Sequence, residues 1–140
     1  MKPKHQTAHM RAAHIYAELS TARRLKVGAL VVKDDRIISI GYNGMPKGWD
    51  NNCEHELEDG TIKTKPEVLH AETNAIAKLA RSTESGLDAD LLVAHSPSLD
   101  CAKLIYQSGI KRVFYANAYR DNSGINFLKS SGIEVEQLDV

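Results

Sequence analysis

Along residues 5–20, Ala8, Ala12, Ile15 and Leu19 recur at helical spacing with no Gly or Pro among them, which predicts a first helix buried through that stripe. The period then shortens. Val27 to Val32 is an unbroken apolar run, Lys33-Asp34-Asp35 is a polar turn, and residues 36–42 contain Ile37, Ile38 and Ile40. Two strands joined so tightly predict an antiparallel hairpin. Residues 43–66 are mostly polar and rich in Gly, Pro and Asn, so a long connection is expected that roofs a site. Pro66 stands before a helical pattern over 67–82, with Leu69, Ala75, Ile76, Leu79 and Ala80 as its buried stripe. The rest alternates: strand 91–95, helix 100–108, strand 111–116, helix 123–131 and strand 133–138, with Gly109 and Gly132 closing the last two helices. This order implies parallel strands with right-handed crossovers added to the hairpin, hence an α/β protein with a mixed five-stranded sheet between helices. The whole chain, 1–140, is expected to form a single domain.

Composition narrows the function classes. The 18 basic residues cancel the 18 acidic ones, and no stripe of one sign appears, so long nucleic acid is not an expected partner. No apolar run approaches the roughly 20 residues that cross a bilayer, and the polar start Met1-Lys2-Pro3-Lys4-His5 lacks a secretion signal's apolar segment. No membrane is expected as a partner. A cytoplasmic protein is expected, in which Cys53 and Cys101 stay thiols available for metal or catalysis.

The candidate chemistry lies in two short segments. His70-Ala71-Glu72 opens one helix, and Ser96-Pro97-Ser98-Leu99-Asp100-Cys101 leads from a strand into another. The first alone would read as a solvated His and a surface Glu. Together they approach the signature H-x-E followed by P-C-x-x-C, in which His and two cysteinates hold zinc and the glutamate shuttles protons without binding metal. Two helix starts facing each other suit such a site, because their partial positive charge favours thiolate and hydroxide. Glu72 is the expected catalytic acid and base, with His70, Cys101 and the Ser98 position as metal ligands.

Over almost its whole length the sequence resembles the deoxycytidylate deaminases. The segments that carry the resemblance are Arg23 to Ala29, Gly41 to Gly48, His70 to Ile76, Cys101 to Ile105 and Gly109 to Val113. It implies a cytidine deaminase-like three-layer α/β/α fold, zinc, hydrolytic loss of ammonia from C4 of a small deoxycytidine nucleotide, and a homo-oligomer, commonly a hexamer, with dimer or tetramer as the alternatives. It further implies that Asn43 contacts the sugar, that the backbone around Ala71 and Ser96 reads the base edge, and that Arg23 or Lys26 meets phosphate. Tyr119 and Arg120 form another candidate phosphate contact. The alternatives are a solvated basic cluster for the first pair and an ordinary surface loop for the second. Gly44 to Gly48 resembles a region that senses effector triphosphates in some relatives, so a Mg2+-nucleotide effector belongs to the same expectation.

Ser98 departs from the pattern, which has cysteine there. A hydroxyl has too high a pKa to be an anionic ligand near neutral pH and is a harder donor than thiolate, so zinc binding and catalysis are expected to be impaired. Three accounts stand: a deliberate Cys-to-Ser exchange, a natural inactive member, or a repaired site in which Cys53, Asp100 or His95 supplies the ligand. The functional alternatives are correspondingly a catalytically inactive nucleotide-binding or regulatory subunit, or a deaminase acting on deoxycytidine triphosphate or another cytosine nucleotide.

Overall fold

The computed structural model describes residues 1–140. Helix α1 (Pro3–Ala17) has proline in its first turn, where a missing N–H costs nothing, and precedes the hairpin of β1 (Gly28–Lys33) and β2 (Arg36–Tyr42). Asp34 and Asp35 have φ of 50° and 60°, the left-handed pair that a two-residue hairpin turn needs. A small separate hairpin follows, β3 (Glu54–Glu56) with β4 (Ile62–Thr64). Then come α2 (Ala71–Ala80), β5 (Asp90–His95), α3 (Leu99–Gln107), β6 (Arg112–Asn117), α4 (Ser123–Ser130) and β7 (Glu134–Gln137).

The main sheet has the order β2-β1-β5-β6-β7, with β1 antiparallel to both neighbours and the β5–β6 and β6–β7 pairs parallel. This is the mixed five-stranded sheet expected from the sequence. It is covered on both faces, which is why β1 and β5 read as continuous apolar runs rather than alternating ones. Ala29, Val31, Leu91 and Val93 pack toward α2, α3 and α4, while Leu30, Val32 and Leu92 pack toward α1. Gly109 and Gly132 have φ of 85° and 84° just past the ends of α3 and α4, so both act as the left-handed helix stops expected of them. No helix is long and apolar enough to cross a membrane.

Three local expectations need correction. Ile15 and Leu19 are 61 % and 56 % exposed, and α1 instead buries Met10, Ala13 and Ala17. The cause is backbone proximity: a Cβ on Gly28 would overlap the Ala13 carbonyl, so α1 turns its small-residue face to the strand. The helix predicted over 67–82 begins only at Ala71, because Leu69 forms an extended bridge with Gly44 through both backbone groups. Ala80, assigned to its buried stripe, is exposed. The long connection over residues 43–66 contains the β3–β4 hairpin, an element the sequence pattern did not show.

Close backbone contact also fixes the two helices that carry the candidate chemistry. A Cβ on Gly41 would overlap the Ala71 carbonyl and stand 2.6 Å from the Ala75 nitrogen, and one on Gly124 would overlap the Pro97 carbonyl. Gly41→Ala is therefore expected to cost about 1–3 kcal/mol, the usual range for overpacking. Urea denaturation measures it; an unchanged midpoint would mean that α2 can back away from β2 freely.

Candidate functional site

Beyond the C-terminal end of β5, the starts of α2 and α3 meet. His70 is the extended N-cap of α2, and Ser98 the extended N-cap of α3. His70 Nδ1 lies 3.1 Å from Cys101 Sγ, and Thr73 Oγ1 stands 3.9 Å from the same sulfur. The juxtaposition of two helix starts expected from the sequence is thus present. Ser98 Oγ accepts a hydrogen bond from the Cys101 backbone N–H at 3.3 Å, satisfying one of the donors that a helix start leaves free.

Glu72 is only 5 % exposed on the first turn of α2, and burial holds its carboxyl above the usual carboxylate range, partly offset by its own backbone N–H and by His70. Burial, with the Glu72 charge as a lesser cause, pushes the Cys101 thiol up to about 12. A cation beside that sulfur would reverse the balance, since a coordinating thiol loses its proton. Burial likewise pulls His95 below the ordinary imidazole range, so this residue is neutral near pH 7.

These groups face a cavity of about 560 Å³ whose lining includes Arg24, Asn43, Glu54, His95, Tyr119 and Arg120. The sequence-predicted residues distribute unevenly around it. His70, Ala71, Glu72, Ser96 and Ser98 line it, and Cys101 stands behind them against His70. Asn43 lines it too, but its side chain donates to the Leu25 carbonyl at 2.8 Å and accepts from the Val27 N–H at 2.9 Å, so both ends of the amide hold backbone. Ser96 Oγ accepts from the Tyr119 N–H at 2.9 Å, fixing the loop that carries Tyr119 and Arg120. The Tyr119 ring packs on His95 with centroids 5.5 Å apart.

Arg23 and Lys26 do not line the cavity. Arg23 instead approaches Glu54, at 3.5 Å, and Glu56, at 3.9 Å. Its neighbour Arg24 takes the cavity side, with Nη1 donating to Thr64 Oγ1 at 3.0 Å. The reason is Glu54: its Oε2 accepts from the backbone N–H of both Arg23 and Arg24, at 2.9 and 3.1 Å, which sends successive guanidinium groups opposite ways. Burial opposes the Glu54 charge, yet these N–H groups and Arg23 together hold its carboxyl below the usual range. Sequence reasoning missed Arg24, although it belongs to the Arg23–Ala29 segment, and missed Glu54, which had no signal beyond its place in a long connection. Of the three residues weighed as substitute ligands for Ser98, only His95 lines the cavity; Cys53 is buried elsewhere beside Thr21, and Asp100 is exposed near Lys103.

A three-layer α/β/α protein with an acid, an imidazole and a thiol gathered at two helix starts is the class that fold and site define. The sequence model of the cytidine and deoxycytidylate deaminase zinc-binding region matches residues 3–117. Deoxycytidylate deaminase of Enterobacteria phage T4 is 33 % identical over 165 aligned positions, spanning 90 % of this chain and 86 % of that protein. ComE operon protein 2 of Bacillus subtilis is 36 % identical, over 94 % of this chain and 69 % of its own length. Among solved structures, the dCMP deaminase of cyanophage S-TIM5 in complex with dCMP and dUMP superposes with a TM-score of 0.91 and 47 % identity, covering 99 % of each chain. The chain belongs to the cytidine and deoxycytidylate deaminase family.

Proposed function

We propose that this chain is built to hydrolyse deoxycytidine monophosphate to deoxyuridine monophosphate and ammonia, with Glu72 as the proton carrier. The observation that carries the reading is that His70 and the buried Glu72 line one cavity, with the Cys101 sulfur directly behind them at 3.1 Å from His70. The cyanophage relative, described with dCMP and dUMP, supports the choice of substrate.

The donor set decides whether zinc fits. His70 and Cys101 supply an imidazole and a sulfur at close approach, a pair suited to zinc. Ser98 occupies the third position with a neutral oxygen already engaged as a helix cap, so the ion is held less firmly than by a second thiolate. When bound, zinc supplies the positive charge that makes a water molecule easy to deprotonate. The remaining work falls to the chain. Glu72 takes a proton from the attacking water, gives it to the base ring nitrogen, and then carries a second proton to the departing amine. One C–O bond forms at C4 and one C–N bond breaks; of the two protons from water, one stays on the ring nitrogen of the product and the other leaves with the amine as ammonia. Burial keeps bulk water from short-circuiting these transfers.

Arg24 and Arg120 are the cavity's guanidinium groups and suit the phosphate, in place of Arg23 and Lys26. Arg24→Ala is expected to raise KM for the monophosphate by about 10–100-fold, the worth of one charge-assisted hydrogen bond, while leaving turnover of the free nucleoside unchanged. Steady-state kinetics on both substrates, in a chain carrying Ser98→Cys, measures the difference; equal losses on the two would remove Arg24 from the phosphate site. The proposal includes a symmetric homo-oligomer, a hexamer by family resemblance, which the exposed Ile15 on α1 and Leu19 just past its end support and light scattering would test.

The capping role of Ser98 favours a second reading, a nucleotide-binding subunit without chemistry. Ammonia release from dCMP after zinc loading of the Ser98→Cys chain separates the two. A silent variant that still binds dCMP would establish the second.

A further inference from the structure

We propose that His5, His9 and Asp35 form a separate binding site for a divalent transition-metal ion, of the zinc or cobalt class, that ties the start of α1 to the β1–β2 turn. Nothing in the deaminase reading uses these residues. His5 and His9 stand one turn apart on the same face of α1, and the hairpin turn brings Asp35 against them. His5 Nδ1 lies 2.7 Å and His9 Nε2 3.4 Å from the same oxygen, Asp35 Oδ1. One ligating atom from each residue falls within 4.8 Å of the other two. Two imidazoles and one carboxylate are a donor set of intermediate softness, matched to borderline transition ions rather than to magnesium or calcium, which prefer oxygen alone.

Packing and turn geometry hold the donors in place. The His9 side chain is only 13 % exposed, so its ring is already held by packing and loses little freedom on binding. Both turn residues, Asp34 and Asp35, have positive φ, which fixes the carboxylate's approach. Asp34 and Asp88 line the adjoining cavity of about 360 Å³ with Lys2, Lys33, Lys111 and Arg112, so its charges balance and the attraction for a cation comes from the three donor atoms themselves. Of the nearby cations, Lys33 donates to the Ser85 carbonyl at 3.5 Å and Arg112 is bound to both oxygens of Asp90, at 2.7 and 2.9 Å, so neither is committed to Asp35.

The site is remote from Cys101. Strand β1 runs antiparallel to β5 with Val32 opposite Asp90, which places the hairpin turn at the start of β5, whereas the deaminase cavity lies past its end. The two sites are therefore independent, one with sulfur and weakened by Ser98, the other without sulfur.

Cobalt(II) distinguishes them, because only a thiolate ligand gives a sulfur-to-cobalt charge-transfer band. The full chain, stripped with chelator and titrated with cobalt and then zinc, is expected to bind one equivalent that develops ligand-field absorption without that band. His9→Ala and Asp35→Asn should each weaken this equivalent at least tenfold, as loss of a direct ligand exceeds the usual effect of an outer-shell change. Asn tolerates the left-handed turn, so Asp35→Asn keeps the hairpin and tests the ligand alone. Cys101→Ser should leave it intact. Absence of any thiolate-free equivalent, or its retention at parental affinity in both His9→Ala and Asp35→Asn, would overturn the assignment.

Discussion

Ser98→Cys is expected to tighten zinc binding by about 100-fold or more and to bring zinc content to one atom per chain at the deaminase site, with turnover of dCMP rising in parallel. Even outer-shell partners of a metal ligand are worth about 10–100-fold in affinity, and a direct ligand is worth no less. The substitution pulls stability in opposite directions. Ser98 Oγ caps α3 by accepting from the Cys101 N–H at 3.3 Å, and a thiol accepts poorly. Loss of the cap should lower metal-free stability by about 1 kcal/mol, or about 4 °C in Tm. Zinc at a hundred times its Kd adds about 2.7 kcal/mol, so the metal-loaded variant should melt above the parent. Thermal unfolding with and without chelator, paired with metal analysis and ammonia release, reads all three effects. Stoichiometric zinc at the His70–Cys101 site and ordinary turnover in the parent chain would refute the impairment. A variant that gains zinc but no activity would move the fault elsewhere in the site.

The legible part of this protein is the part in which local pattern and tertiary environment agree. Strands β1 and β5 are buried on both faces, and their short length, β-branched residues and flanking turns mark such apolar runs as strands, so the sheet and its parallel half follow from sequence spacing. The juxtaposition of His70 with Cys101 follows equally, because each residue lies at a helix start that succeeds an extended segment. What escaped depends on contacts between distant parts of the chain. The roll of α1 is set by Gly28, which admits the Ala13 carbonyl at its α-carbon, and alanine spacing alone cannot show which face meets a glycine 15 residues onward. The late start of α2 reflects a bridge from Leu69 to Gly44 that outcompetes one helical turn. The exchange of Arg24 for Arg23 at the cavity turns on a single buried carboxylate, Glu54, 1 % exposed, whose acceptor role depends on the small β3–β4 hairpin. Adjacent residues with identical side chains are separable only by such a partner.

In the Ser98→Cys background, Glu72→Gln should lower kcat by a factor of about 10²–10⁴, the usual worth of a positioned general acid or base, with KM for dCMP little changed. Glutamine has nearly the same shape and keeps the first turn of α2 packed, so the loss reports the missing proton acceptor. Zinc content discriminates this from a structural effect. The Glu72 charge is one cause that raises the Cys101 thiol, and a neutral amide removes it. Because Glu72 is not a ligand, zinc should stay bound in Glu72→Gln while turnover collapses. The sign matters because a glutamate acting as a ligand would behave oppositely, with zinc and turnover lost together. Metal analysis beside steady-state ammonia release distinguishes the outcomes. Retained turnover would pass the proton-carrying role to another group of the cavity wall, where His95 is the neutral imidazole within the lining.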